Sequence, residues 1–140
     1  MFDMGNKDLK REIDKVPHLA FKYLGSRPPD HMINLPLPKN TFQIVNTDNG
    51  AGDHWVVFIN KDNIHYFGDS SGTHIDDYFV FNDCCKKQVV HICHSPIQQT
   101  EGVCGLFCIY FAHLVFSKRL YVKNISEFNM FKFVNSWLRM

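Results

Sequence analysis

At 140 residues, the chain has the length of one domain, and no composition shift or low-complexity tract divides it. Hydrophobic residues make up 45% and charged residues 21%, which excludes a disordered chain, and a formal net charge of +1 excludes polyanion binding by bulk charge. Five cysteines, an odd number without regular spacing, argue against a secreted disulfide scaffold and for a reducing compartment.

In chain order, residues 7–16 (KDLKREIDKV) place Leu9, Ile13 and Val16 on one stripe and predict an amphipathic helix. A second helical or turn-like piece, LAFKYLGS, is expected to end near Gly25. The segment SRPPDHMINLPLPKN carries four prolines and reads as an ordered loop without regular structure. Strands are expected at 42–46 (FQIVN), 54–60 (HWVVFIN) and 64–68 (IHYFG), with a turn-rich TDNGAGD loop between the first two. Residues 75–87 read as a helix opened by Asp76 and Asp77, and 88–93 (QVVHIC) as a strand. A loop, HSPIQQTEG, leads to a buried helix over 104–117. Ser126 is expected to cap a last helix on which Met130, Val134, Trp137 and Leu138 keep helical spacing. The apolar run near 103–116 is too short to span a bilayer. The order predicts an α+β fold: a mostly antiparallel sheet flanked by helices, with one helix buried.

Three groups carry candidate chemistry. Read as a hairpin, HWVVFINKDNIHYFGDS closes through a two-residue loop, Lys61-Asp62, or a four-residue loop, 60–63. In either case paired numbers sum to 123, and His54 falls opposite Asp69. Opposed residues share a face with Cβ atoms about 4.5–5.5 Å apart, so the carboxylate can orient the imidazole. A three-residue loop breaks this pairing. Cys104, at the expected head of the buried helix, sits where a helix N-terminus and an imidazolium favour thiolate. Gly102 and Gly105 flank it and let the backbone approach a substrate. Gln98 or Gln99, upstream, offers a side-chain amide to an oxyanion beside the Cys104 N–H. Cys108, one turn further, reads as a core thiol. The segment CCKKQVVHICH holds Cys84, Cys85, His91, Cys93 and His94, but lacks the paired C-x₂-C knuckles of a zinc site. No metal ligand is assigned there, and a zinc-binding or interaction module stands as the non-enzyme alternative.

Together these segments resemble the adenovirus protease family, within the wider group of Ulp/SENP-type cysteine proteases that process SUMO-like modifiers. YLGSRPPDHM…FQIVNTDNGAGDHWVVFIN is similar to the stretch carrying an FLG-type motif, an IVNT strand, a Gly-rich loop and HW. IHYFGDSSG is similar to the strand ending in the acidic triad member, and IQQTEGVCGLFCIYF to the Gln loop and CGLFC helix. The resemblance covers roughly residues 20–118. It implies a papain-like, Ulp-type fold, with His54 as general base, Asp69 as its orienting acid, Cys104 as nucleophile and Gln98, or alternatively Gln99, as oxyanion donor. It also implies that Trp55 lines a narrow cleft for small substrate residues. The implied activity is a thiol endopeptidase that cleaves viral or mobile-element precursors at Gly-containing sites during virion maturation. A SUMO or ubiquitin-like deconjugase is the near alternative, and an acetyltransferase with the same triad a distant one. No cofactor is needed for the chemistry. An activating peptide or DNA is allowed by the resemblance alone, although the chain is shorter than typical adenoviral proteases at its C-terminal side. Protein substrates, a monomer, no membrane partner and an intracellular site in a host cell (nucleus or cytoplasm, and the virion) complete the expectation.

Overall fold

The computed structural model describes residues 6–27, 32–33, 36–47, 54–75, 80–81 and 89–139. Helix α1 (Asn6–Asp14) and a short α2 (Pro17–Ala20) lead into β1 (Tyr23–Arg27), so YLGS is strand and not the end of a second helix. Pro17 at the first turn of α2 has the backbone angle a helix start needs. β2 (Met32–Ile33) is a two-residue strand in the proline-rich segment. β3 (Thr41–Asn46), β4 (Trp55–Lys61) and β5 (Ile64–Gly68) fall within one residue of expectation at each end. The expected helix over 75–87 is corrected: Val80–Phe81 form β6, which pairs with β2 in parallel. Asp76, Asp77, Cys84, Cys85 and most of the TDNGAGD loop lie outside the described residues. β7 is only Val90–His91. Helices α3 (Cys104–Phe116) and α4 (Glu127–Phe133) follow, and α4 continues as a π-helical segment, Val134–Leu138.

The main sheet has the order β1-β3-β4-β5-β7. It is mixed, not mostly antiparallel. β3–β4 and β4–β5 are antiparallel, whereas the two outer strands, β1 and β7, pair in parallel with β3 and β5. A long connection separates each outer strand from its parallel neighbour, after β1 and before β7, which allows the chain to re-enter in the same direction.

β4 is buried on both faces. Val57 and Ile59 face the main core with Phe42, Ile44 and α3, while Val56 and Phe58 face a second cluster with Leu37, Val45, Phe67 and Ile75. α3 is apolar all round, and eleven of its residues are buried, as the pattern of a central helix requires. Gly68 lets α3 lie close to β5, since a Cβ there would stand 2.6 Å from the Phe111 ring. Ser126 caps α4 by accepting the Asn129 N–H at 3.1 Å, as its sequence position predicts.

Candidate active site

The β4–β5 hairpin turns through Asp62-Asn63, with φ of 53° and 68°. Lys61 therefore pairs with Ile64, and Val57 with Gly68. The paired numbers sum to 125, not 123, so His54 does not lie directly opposite Asp69. The physical reason is turn chemistry: a two-residue hairpin loop needs positive φ at both positions, which Asp and Asn tolerate far better than Lys. The Asp62 N–H is held by Asn40 Oδ1 and the Asn63 N–H by Asn60 Oδ1, each at 2.9 Å. Because the shift is two residues, His54 and Asp69 keep a common face. They meet diagonally, with His54 Nε2 donating to Asp69 Oδ1 at 2.7 Å.

Asp69 is 1% exposed, and the same Oδ1 accepts the Ser71 N–H at 2.9 Å and the Ser71 hydroxyl at 2.8 Å. Burial alone would raise its pKa. The bonds from His54 and Ser71, with the His54 charge, outweigh burial and hold the carboxyl below its usual range. For His54, burial works against the imidazolium, but hydrogen bonds to Asp69 and Cys104 and the charges of both raise its pKa to about 9. Nε2 is committed to Asp69, so Nδ1 is the ring nitrogen available to Cys104.

Cys104 is the first residue of α3, and its N-cap, Val103, provides no side-chain acceptor. Its Sγ also accepts the Trp55 backbone N–H at 3.4 Å. β4, the β5 exit and the head of α3 thus bring Cys104, His54 and Asp69 into one hydrogen-bonded chain. The remaining described thiols have a different environment. Burial, with a smaller contribution from Asp69, pushes Cys93 up to about 12, and burial drives Cys108 well above its ordinary value.

The Trp55 indole is buried in the main core, and its backbone N–H reaches the sulfur. Gly102 adopts φ +78°, a conformation suited to glycine, and Gly105 is buried inside α3. Gln98 lines a cavity of about 310 Å³ with His54, Ser71, Pro96, Gln99, Thr100 and Glu101. Its backbone N–H and that of Ile97 donate to the Ser70 carbonyl at 3.2 and 3.0 Å. Its Oε1 accepts the hydroxyl of buried Ser70, and its Nε2 donates to the Thr100 carbonyl at 2.8 Å. Gln99 is exposed, and its N–H is bound by the Glu127 carboxylate. Gly72, at φ +76°, has no room for a Cβ, which would stand 2.3 Å from the Ser95 backbone; the Gln loop therefore packs directly on the turn after Asp69.

Sequence reasoning missed Ser70, Ser71 and Glu127. The serines follow the acid directly, and a Ser two residues after an Asp is a local signal for a side-chain-to-backbone turn. Glu127 had no such signal. Among the described residues, no group of three or more His, Cys, Asp or Glu side chains can hold a metal ion, and His91 Nε2 accepts the Ile75 N–H at 3.3 Å. No helix among them is long and apolar enough to cross a membrane. No protein-family model matches the chain, and no curated protein matches it significantly.

Proposed function

We propose that the chain is a cysteine endopeptidase of the adenovirus-protease kind, with a papain-like Ulp-type fold, acting on precursor proteins at Gly-containing sites. The observation that carries this reading is the chain of contacts Cys104–His54–Asp69 at the head of a buried helix.

With a pKa near 9, His54 holds its proton at neutral pH, Nε2–H on Asp69 and Nδ1–H toward Cys104. The imidazolium, the N-terminal end of α3 and the Trp55 N–H each stabilise negative charge on Sγ. The thiolate attacks the peptide carbonyl carbon. The oxyanion is met by the Cys104 N–H, which points out of the helix end, and by Gln98. One hydrogen of the Gln98 amide is given to Thr100, leaving its second for the oxyanion. When the tetrahedral species collapses, His54 passes its Nδ1 proton to the leaving amine, and the acyl group remains as a thioester on Cys104. Neutral His54 then takes a proton from water. The hydroxide attacks the thioester, and thiolate and imidazolium are restored with release of the carboxylic acid.

A peptide probe ending in Gly and carrying a thiol-reactive group tests this. Wild type labels at neutral pH, Cys104→Ala does not label, and His54→Ala labels at least about a hundredfold more slowly. Unlabelled wild type, or undiminished labelling of Cys104→Ala, rejects the reading. Gln98→Ala lowers kcat by about 10²–10³, or about 3–4 kcal/mol, as loss of one oxyanion donor does.

A further inference from the structure

The loop between β7 and α3 carries Gln98 yet makes no strand ladder or helix, so its backbone N–H groups need acceptors from elsewhere. On one side, the Ser70 carbonyl takes the N–H groups of Ile97 and Gln98. The other side rests on a residue 27 or 28 positions later in the chain. Glu127 Oε1 accepts the N–H of Gln99 and of Thr100, both at 2.9 Å, and Oε2 accepts the Thr100 hydroxyl at 3.0 Å. A carboxylate at the first turn of a helix ordinarily favours its own helix dipole. Here it is turned outward and spans two elements. Burial, the largest single influence, opposes its charge, but the Thr100 and Gln99 bonds together outweigh it and hold its pKa low.

Thr100 is the residue on which the Gln98 amide rests, because Gln98 Nε2 donates to the Thr100 carbonyl. The support therefore runs in two steps, from Glu127 to Thr100 and from Thr100 to Gln98. Behind Glu127, α4 is anchored in the core by Met130 and Phe133. Charge-assisted bonds to a carboxylate are stronger than neutral ones, which suits a clamp on an exposed loop.

We propose that Glu127 is a positioning residue: it clamps the 98–100 loop and holds the Gln98 amide toward the oxyanion, without touching substrate. This rests on the peptidase reading for its catalytic part, while the clamp itself stands on the hydrogen bonds. Gln98 remains the group that meets the reacting atoms.

Two measurements test it. The first is amide hydrogen exchange at Gln99 and Thr100 in the full chain. Glu127→Ala should speed exchange at both by about tenfold or more, while core amides of α3 and β4 keep their rates. Glu127→Gln, whose single amide oxygen can still accept both N–H groups, should retain much of the protection. The second is a double-mutant cycle on turnover of a Gly-containing peptide. Glu127→Ala should lower kcat by about tenfold or more with KM little changed, and Glu127→Gln should recover most of the loss. In a Gln98→Ala background, Glu127→Ala should change kcat by no more than about twofold, because the residue through which it acts is gone. Unchanged exchange in Glu127→Ala overturns the clamp, and additive losses in the cycle overturn its route through Gln98. A wild type that turns over no peptide and takes no probe rejects the reaction and Glu127's part in it. The exchange comparison then still decides the clamp.

Discussion

Asp69 Oδ1 serves three donors, and one of them, His54 Nε2–H, sets the charge of the imidazole. The His54 pKa is raised above its ordinary 6.5 to about 9. A cation stabilised in the folded state contributes stability that is complete below pH 6.5 and is lost as pH rises through 9. Asp69→Asn removes the negative partner, so the His54 midpoint should fall by about one unit or more. The alkaline loss of stability should move down with it. Imidazole chemical shifts and urea midpoints over pH 6–10 check this. An unmoved His54 midpoint would mean that Asp69 orients the ring without charging it. His54, Asp69 and Cys104 were legible in the sequence as candidates because each stands in a local context that the proposed chemistry demands: a strand end, a strand exit, a helix head. Glu127 was not legible, since its partners Gln99 and Thr100 are brought to it only by the packing of α4 beside the loop.

At the scale of elements, a two-residue turn decides where the acid stands. Asp62 and Asn63 both take left-handed backbone angles, and together they fix the β4–β5 register. Asn63→Val puts a β-branched residue in that region and should cost about 1–2 kcal/mol, whereas Asn63→Gly should be close to neutral. Thermal unfolding compares the two. Because a register slip of one residue would turn Asp69 away from His54, Asn63→Val should also slow probe labelling at Cys104 more than its stability loss explains. Equal labelling in both variants would show that the site tolerates the turn. The turn rule was present in the sequence, but choosing between Lys61-Asp62 and Asp62-Asn63 required weighing φ, not counting residues. The long strands β3, β4 and β5 and the apolar helix α3 were legible from periodicity. Of the outer strands, β7 falls inside the strand expected at 88–93, whereas β1 lies where the end of a helix was expected; the parallel pairing of both was not legible, since it is set by tertiary packing alone.

Across the whole molecule, a histidine pair lies at the far end of α3 from Cys104. His18 of α2 and His113 of α3 approach at 2.9 Å, and Trp137 packs against both rings. Tyr110 and Phe133 pack on His113 as well. Burial, then the charges of His18 and Arg119, push His113 down to about 4. The neighbouring His18 is lowered by burial and by Lys22. The sign is opposite to that of His54. A histidine held neutral by the fold binds fewer protons than the unfolded chain between pH 6.5 and 4, so stability is complete above 6.5 and falls across that window. Asp69, with its pKa held low, withdraws its contribution only at more acid pH, as pH drops below 3.8 and through its folded value. The two ends of α3 therefore contribute to separate limbs of the stability profile, with His65, lowered by burial, adding to the acid one. His113→Phe, which keeps the aromatic packing with Tyr110 and Phe133, should flatten the limb between pH 6.5 and 4 and leave the limb from 6.5 to 9 in place. Asp69→Asn should do the reverse, shifting the alkaline limb and sparing the 6.5–4 window. Urea unfolding of the two variants at half-unit pH steps separates the limbs. A His113→Phe profile that still falls as steeply from 6.5 to 4 would place the acid sensitivity elsewhere in the chain.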